Sequence, residues 1–436
     1  MKIAMSSYSG MGAWFVLRLI AEGHKVDYFL SKPEYEDVLR GLIPEPKVHH
    51  VDQRRHLLGY GFPSYKGYDL SLFDLTGTQK QAEACRLEGV PTFGDGYIEH
   101  MLEDDREFGL NTMKEAGINV PPFERFETAS EGKAFIKKTG KRYVYKPYEG
   151  SGGSDDKSLT YVAKSAEDLI EFIDDLWKRS KNNPFILQEF VTGEEIGVAA
   201  YFNGTQFFLQ TGTLEEKKFM NDNKGPNTGC SGNLVFAMNE EMKIYKEGLA
   251  KVEPILRQMR YRGIIDLNSI VTEDTFYGLE WTPRFGYVSD PTIATMYGDG
   301  FGDMLFDISS GKNPTIKWGG GSFGAAVTLS IPPYPTEIRV PKAKGVPIEG
   351  IDPKDLAELM EIYLYDAMVV KGKLETSGNF GYIGAVLSAS NSIEGAFGII
   401  KGKMEKINIP NCQYRTDIEK STTRRYEQIR DWGWLR

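Results

Sequence analysis

Apolar and polar positions alternate along two neighbouring stretches in the second half of the chain. Residues 263–271, GIIDLNSIV, alternate after an apolar start, and residues 276–281, FYGLEW, form a second extended stretch. The polar turn TEDT separates the two, and TPRFG then leaves the sheet. The pattern predicts a β-hairpin. In such a hairpin, Asp266 and Glu280 can lie on the same face of neighbouring strands, close to each other.

Two neighbouring carboxylates repel each other unless a cation lies between them. Mg²⁺ is a suitable cation, because it prefers carboxylate oxygens together with phosphate oxygens. Arg284 follows Glu280 closely and adds a fixed positive charge that could hold an anionic intermediate. The alternative is a surface hairpin with ordinary charges, and the hairpin by itself leaves both interpretations open.

The first thirty or so residues read as a strand, a glycine-bearing loop, a helix and a second strand. The strands are KIAMSS and KVDYFL, and the loop YSGMG contains Ser9, Gly10 and Gly12. Glycines allow a tight turn into a helix, whose free amide groups favour an anion. Many α/β domains begin this way with nothing bound, so a ligand role and an empty loop are both open. With the strands and helix of residues 69–94, the pattern predicts an open α/β domain over residues 1–102.

A helical linker follows and ends at Pro121 and Pro122, after which a second compact unit is predicted. In this unit the strand YVYKP (143–147) precedes the glycine-rich loop EGSGGSDD, and an amphipathic helix begins at Ser165. The loop has the composition of a mobile lid whose amides close on a triphosphate, and Lys146 stands just before it. It is not a GxxxxGK[ST] loop, because no Lys-Ser/Thr pair follows. Simple flexibility is the alternative interpretation.

Composition limits the classes of function. A chain of 436 residues is too long for one core, so two to four subdomains are expected. A net charge of -9 argues against extended nucleic-acid binding. Three cysteines (Cys85, Cys230 and Cys412) without a CxxC pair fit a reducing cytoplasm. Neither a signal peptide nor an apolar run of membrane-spanning length is expected, and the sequence leaves the oligomeric state open.

Several segments, in this order, resemble the ATP-grasp superfamily: VYKPYEGSGGSDDKSLTYV, FILQEFVTGEE and IIDLNSIV…LEWTPRFG. More narrowly, NDNKGPNTGCSGNLVF (221–236) is similar to the GPNTGGMG signature of the phosphoribosylamine–glycine ligase family of purine biosynthesis. The first loop and the tail match that family in layout, so the resemblance covers nearly the whole chain.

The resemblance implies an α/β fold of the ATP-grasp type. An N-terminal Rossmann-like domain would cover residues 1–102, and the ATP-grasp domain residues 103–318. Within the latter, residues 121–191 would form a small lid lobe, and residues 103–120 and 192–318 the other lobe. A β-rich α+β domain would cover residues 319–436.

The resemblance also implies roles for individual residues. ATP would be bound by Arg106, Lys146, Gly152, Gly153, Glu189, Phe190, Val191 and Glu195. The substrates would be bound by Ser9, Gly10, Gly12, Lys224, Asn227, Thr228 and Gly229. The metal ligands would be Asp266, Glu280 and Thr282, while Arg284 and Lys146 would act on the transferring phosphoryl group.

The implied activity is ATP-dependent ligation of a carboxylate to an amine through an acyl phosphate, with ATP and Mg²⁺ or Mn²⁺ as cofactors. The carboxylate would be glycine or another small amino acid, and the acceptor a phosphorylated or nucleotide-like amine. Departures from the family pattern include Thr282 in place of a metal-binding Asn, GCSG in place of GGMG, and a first loop without Gly-Arg-Glu. They favour a changed amine, and they keep open an inactive ATP-binding homologue with a regulatory or structural role. A biotin-carboxylase-like role lacks the expected bicarbonate-handling signature.

Overall fold

The computed structural model of the protein describes residues 1–43, 48–50, 64–147, 160–336 and 343–436. The predicted phosphate lid, with Gly152 and Gly153, lies outside the described residues.

The N-terminal part is a five-stranded parallel sheet in the order β3-β2-β1-β4-β5. Its strands are β1 (Lys2–Ser7), β2 (Lys25–Leu30), β3 (Val48–His50), β4 (Leu70–Phe73) and β5 (Thr92–Phe93), with helices α1 (Ala13–Ala21) and α2 (Gln79–Leu87) and a 3-10 turn at Pro33–Tyr35. The apolar run of β1 is buried, as expected for a parallel sheet covered on both faces. The loop between β1 and α1 lies at the carboxyl end of its strand, where such sheets bind ligands.

Helix α2 is capped by a residue distant in the sequence. The backbone N–H and the hydroxyl of Thr78 both donate to Oδ2 of Asp95. Oδ1 of Asp95 is enclosed and has no hydrogen-bond partner in the described part of the chain. Burial raises the pKa of Asp95 to about 8, against the hydrogen bonds from Thr78 that lower it. Folding therefore holds a proton on this carboxyl group at neutral pH.

We expect the stability of the N-terminal sheet to fall as pH rises from about 4 to about 8 because of Asp95. In this window the unfolded chain releases the proton that the folded chain keeps. Asp95→Asn removes the titration and should reduce the loss between pH 5 and pH 8 by at least about 1 kcal/mol. Urea unfolding at both pH values measures the difference, with the exposed Asp299→Asn as control. Equal pH profiles for wild type and Asp95→Asn would contradict the prediction.

Two helices, α3 (Tyr97–Asp104) and α4 (Arg106–Glu115), lead to a second unit with its own core. It contains β6 (Phe123–Phe126), α5 (Ala129–Thr139), β7 (Tyr143–Pro147), β8 (Tyr161–Val162), α6 (Ala166–Arg179) and β9 (Phe185–Glu189), with the antiparallel sheet order β6-β9-β7-β8. Ser165 caps α6 by accepting a hydrogen bond from the Asp168 N–H, as predicted. In the apolar stripe of α6, Leu169, Ile173 and Leu176 are buried, whereas Phe172 is exposed.

The largest element is an eight-stranded antiparallel sheet in the order β14-β13-β10-β11-β12-β15-β20-β17. Its strands are β10 (Glu194–Phe202), β11 (Phe207–Met220), β12 (Lys224–Ala237), β13 (Gly263–Val271), β14 (Phe276–Thr282), β15 (Phe323–Ser330), β17 (Ile362–Leu364) and β20 (Tyr382–Ser390). A 3-10 turn at Asn221–Asn223 joins β11 to β12, and β16 (Lys344–Pro347), β18 (Met368–Val370) and β19 (Lys373–Ser377) form a small separate sheet. Because β12 pairs with β15, the sheet continues across residue 318, and the division into domains there stays a prediction.

The remaining helices are α7 (Lys243–Glu247), α8 (Leu249–Gln258), α9 (Ser289–Tyr297), α10 (Phe301–Ser310), α11 (Leu356–Met360), α12 (Ile393–Met404) and α13 (Ile418–Asp431). The C-terminal segment is fixed to the large sheet by buried charges, since Glu216 of β11 pairs with Arg415 and Arg425. No helix within the described ranges is both long and apolar enough for a membrane span.

Candidate active site

The β13–β14 hairpin places a polar row at the edge of the large sheet. Asp266 is opposite Thr282, and Asn268 is opposite Glu280, with a bulge between Asn268 and Ser269. Asp266 and Glu280 therefore share a face, although one cross-strand pair lies between them. The residue directly opposite Glu280 is Asn268, which is not among the residues predicted from the sequence. The Asn268 side-chain amide donates to the Thr282 hydroxyl over 3.2 Å.

Two cations stand close to Glu280. Arg106, the first residue of α4, donates from Nη1 to Glu280 Oε2 over 3.2 Å. Lys146 of β7 is only 7% exposed, and its ammonium group interacts with the charges of Glu280 and Arg106. Burial lowers the pKa of Lys146 to about 8, partly offset by the carboxylate of Glu280 and reinforced by the charge of Arg106. The predicted phosphate-binding cations and the predicted metal carboxylate thus form one cluster.

The predicted ribose ligand Glu195, in β10, is ion-paired with Lys217 of β11. Burial opposes ionisation of Glu195, but Lys217 and Arg425 lower its pKa below the usual value. Burial likewise works against the charge of Lys217, yet the carboxylates of Glu195, Glu215 and Glu280 raise its pKa. Lys217 is not among the site residues predicted from the sequence, although the alternation of polar and apolar residues along β11 was a signal that could have indicated it.

A small pocket opens beside these residues, on the face of the sheet that carries Asp266. Its lining residues are Glu195, Ile196, Gly197, Thr213, Glu215, Asp266, Asn268 and Arg425. Burial raises the pKa of Asp266 to about 8, and the Glu215 and Asp290 carboxylates add to the effect. Glu215 and Arg425 are not among the residues predicted from the sequence, because they reach the pocket from β11 and α13, which lie far apart in the chain.

Arg284 is held by Glu103 of α3, whose carboxylate accepts from Nε over 3.0 Å. A second bond runs from Arg284 Nη1 to the Phe285 carbonyl over 3.1 Å. Burial alone would lower the pKa of Arg284, but the Glu103 carboxylate raises it, so the guanidinium is a permanent charge. Nearby, the Asp290 carboxylate accepts hydrogen bonds from the Tyr201 hydroxyl and the Gly286 N–H.

The predicted adenine segment lies at the end of β9. The Glu189 carboxylate pairs with Lys141. The Phe190 N–H already donates to the Arg142 carbonyl, and the Arg142 guanidinium covers the Phe190 ring at 3.4 Å from its centre. In the Phe190 backbone, only the carbonyl oxygen therefore remains for the predicted hydrogen bond to adenine. The neighbouring Val191 is partly buried.

The predicted substrate residues of the GPNTG signature lie on β12 rather than in a loop around the pocket. Lys224 and Asn227 are exposed, and Lys224 pairs with Asp222 at 3.4 Å. The Thr228 hydroxyl donates to the Lys217 carbonyl over 2.9 Å, which fixes the strand beside the Lys217–Glu195 pair. Gly229 faces the ring of Tyr287, so only the second half of the signature comes near the site.

In the glycine loop after β1, the amides of Gly10 and Gly12 both donate to side chains of the protein. The Gly12 N–H donates to Asp74 Oδ2 over 2.7 Å, and the Gly10 N–H donates to the Ser7 hydroxyl over 2.9 Å. Ser7 in turn donates to Asp74. The carbonyl of Ser9 accepts from the Tyr365 hydroxyl over 3.0 Å. The amides of Gly10 and Gly12 are thus bonded within the protein, and the substrate role of Ser9, Gly10 and Gly12 stays a prediction.

A divalent cation fits the oxygen donors at the edge of the sheet. Glu280 provides a carboxylate, Asn268 an amide oxygen and Thr282 a hydroxyl. Within the described residues, no group of three or more His, Cys, Asp or Glu side chains forms a metal cage. This donor set is typical of Mg²⁺ sites that take one or two carboxylates and complete their shell with phosphate oxygens and water.

Comparison with known proteins shows which proteins the chain resembles. The family model for the phosphoribosylglycinamide synthetase ATP-grasp (A) domain matches residues 104–291. Phosphoribosylamine–glycine ligase of Streptococcus pneumoniae is 24% identical over 340 residues, which cover 76% of this chain and 78% of that protein. The crystal structure of phosphoribosylamine–glycine ligase from Thermotoga maritima has a TM-score of 0.75 at 21% identity and covers 96% of this chain and 100% of that chain.

A biotin carboxylase from Campylobacter jejuni, solved as a β,γ-ATP complex, has a TM-score of 0.65 at 12% identity and covers 99% of this chain and 96% of that chain. At such identities the solved structures establish the fold. The predicted ATP-grasp fold of the α/β class is therefore confirmed.

Proposed function

We propose, on the premise that this chain is a carbon–nitrogen ligase of the ATP-grasp superfamily, that it activates a small amino acid with ATP and joins it to an amine. Glycine is the leading amino acid and a phosphorylated or nucleotide-like amine the leading acceptor, because the similar proteins are phosphoribosylamine–glycine ligases. The observation that carries the proposal is the convergence of Lys146 and Arg106 with Glu280 between the lid unit and the large sheet.

ATP would bind between the two sheets. Lys146 and Arg106 would contact its phosphates, since both are buried cations that lack the solvent that would otherwise screen them. Glu195 would accept hydrogen bonds from the ribose hydroxyls, and Glu189 with the Phe190 carbonyl would contact adenine. Lys217 would keep Glu195 ionised for this role.

Glu280, Thr282 and Asn268 would hold the divalent cation, Mg²⁺ or Mn²⁺, and Asp266 stays a predicted ligand from the sequence. When bound, the metal would neutralise charge on the triphosphate and on the transferring phosphoryl group. Arg106 would then exchange its bond to Glu280 for contact with phosphate oxygens.

The reaction would proceed in two steps. A carboxylate oxygen of the amino acid attacks the γ-phosphorus of ATP, ADP leaves, and an acyl phosphate forms. The amine then attacks the acyl carbon, inorganic phosphate leaves and an amide remains. The fixed guanidinium of Arg284, held by Glu103, would stabilise the acyl phosphate, so most of the catalysis is positioning and electrostatics.

Hydroxylamine trapping tests the proposal without knowledge of the natural amine. Wild-type protein with ATP, MgCl₂, glycine and hydroxylamine should form glycine hydroxamate and an equal amount of ADP. Replacing hydroxylamine by phosphoribosylamine or nucleotide-like amines then identifies the acceptor. If no small amino acid stimulates ADP release or gives hydroxamate, the ligase proposal fails and the inactive ATP-binding alternative is favoured.

A further inference from the structure

The side chains that line one pocket beside the polar row of the β13–β14 hairpin include two acids, Asp266 and Glu215. Neither of these two takes part in an ion pair within the described ranges. The neighbouring cations have carboxylate partners elsewhere. Lys217 pairs with Glu195, and Arg425 pairs with Glu194 and Glu216. Burial raises the pKa of both acids, and a positive group between them would favour their charged forms.

The backbone makes room for such a group. Gly197 lies beside Asp266 on the neighbouring strand, and a Cβ atom at Gly197 would come 3.0 Å from Asp266 Oδ1. Glycine at this position therefore lets the Asp266 carboxylate lie over the strand. That oxygen is enclosed and has no hydrogen-bond partner among the described residues. A buried acceptor without a partner is costly unless a ligand or water satisfies it.

A second unpartnered atom lies in the same cross-strand row. Ala199 is paired with Asp266 on one side and with Thr211 on the other, so all three side chains share a face. Thr211 is 0% exposed, and its hydroxyl has no partner in the described part of the chain. Thr213 adds another hydroxyl to the pocket wall. The row thus offers several oxygen acceptors around one space.

We propose that Asp266 and Glu215 bind the ammonium group of the amino acid substrate and make the enzyme selective for zwitterionic acids. An ammonium group carries three donors and matches a set of carboxylate and hydroxyl acceptors. Asp266 is opposite Thr282, two residues before Arg284, and the charge of Arg284 acts on Asp266. A small amino acid whose ammonium group is held by Asp266 would therefore have its carboxylate near the phosphoryl-transfer residues. The enclosed part of the pocket is only water-sized, which fits an ammonium group while the rest of the amino acid lies outside it. This assignment rests on the proposed function and names the group that selects its first substrate.

Substrate pairs that differ only by the ammonium group provide the test. Wild type, Asp266→Asn and Glu215→Gln are assayed for hydroxamate formation from glycine and from acetate or glycolate. We expect the ratio of kcat/KM for glycine over acetate to fall roughly 10- to 100-fold in each variant, mainly through a higher KM for glycine. Asp274→Asn, an exposed carboxylate in the turn of the same hairpin, is the matched control and should keep the wild-type ratio.

A metal titration separates this role from the predicted metal ligation by Asp266. A higher Mg²⁺ requirement in Asp266→Asn with an unchanged glycine-to-acetate ratio would make Asp266 a metal ligand and overturn the proposal. An unchanged ratio in Glu215→Gln would remove Glu215 from the ammonium site. Circular dichroism checks that each variant is folded.

Failure of the proposed function is distinguishable from failure of this inference. If wild type forms no hydroxamate from any acid, the ligase function fails, and calorimetric binding of glycine in the presence of an ATP analogue tests the ammonium site directly. Glycine binding that is lost in Asp266→Asn and kept in Asp274→Asn supports the site. Equal binding in both variants, or no binding of glycine to wild type, overturns it.

Discussion

Glu280→Gln is expected to lower the rate of ADP formation about 10³-fold while weakening ATP binding less than about tenfold. The substitution removes one negative charge from the row that would hold the metal, opposite Asn268. The metal acts mainly on the charge of the transferring phosphoryl group, so the loss falls on turnover more than on binding. Hydroxamate assays with glycine give the rate, and calorimetry with a non-hydrolysable ATP analogue gives the affinity.

Glu273→Gln is the matched control, because Glu273 is exposed in the turn of the same hairpin and should keep wild-type activity. Glu280 also accepts a hydrogen bond from Arg106, so the thermal midpoint of each variant must be compared. A folded Glu280→Gln variant with wild-type turnover would refute the assignment of Glu280 to the metal. Equal losses of ATP affinity and turnover would instead make Glu280 a ground-state contact.

The hairpin itself shows what the sequence can predict and what it cannot. Alternation along residues 263–271 gave the bounds of β13 as the structure has them, because side-chain period and burial agree there. The face that Glu280 occupies depends on the bulge after Asn268. Counted from the Val271–Phe276 pair without a bulge, the facing residue of Asn268 would be Leu279, and Glu280 would point away from Asp266. No periodicity in the sequence indicates the extra residue of the bulge, so the sequence did not predict that Asn268 faces Glu280.

The N-terminal loop shows a second limit of local sequence patterns. Its glycines and the start of α1 are local features, and they correctly indicated a tight turn: Gly10 has a φ of 82°. The carboxylate that fills the helix N-terminus belongs to Asp74, at the end of another strand. A contact between residues so far apart depends on the strand order of the sheet, which the local pattern does not contain. Glu215 and Arg425 escaped notice for the same reason, since β11 and α13 meet only in the folded chain.

The departures from the family pattern acquire a physical sense in the folded chain. Thr282 is a weaker ligand than Asn, but Asn268 lies across the hairpin within hydrogen-bond distance of it and supplies an amide oxygen to the same row. In the first loop the Gly12 amide donates to Asp74, in the part of the chain where the amine is expected. The residues proposed to bind ATP and metal therefore keep suitable donors, while the loop proposed for the amine departs from the family pattern. The hydroxamate assay decides between a ligase with a changed amine and an inactive homologue.

Lys146→Met should raise the Kd for an ATP analogue with Mg²⁺ roughly 10- to 100-fold, because a buried cation that would contact the phosphates is lost. The wild type should also show a pH dependence. Burial lowers the pKa of Lys146 to about 8, so in the free protein it loses its proton as pH rises through that value. Phosphate binding requires the charged form, and affinity should fall above pH 8 with a slope approaching tenfold per unit. Calorimetry from about pH 6.5 to about pH 9.5, roughly 1.5 units on either side of the pKa, measures both effects.

The exposed Lys164→Met, in the same lid unit, is the control for loss of a lysine without loss of the buried charge. It should keep both the affinity and the pH slope of the wild type. Lys146→Met should bind weakly with little change from pH 7 to pH 9, because its side chain cannot titrate. If Lys146→Met keeps the wild-type slope, the titrating group is another residue. If it keeps the wild-type affinity as well, Lys146 does not contact the phosphates, and the convergence of Lys146, Arg106 and Glu280 loses its proposed meaning.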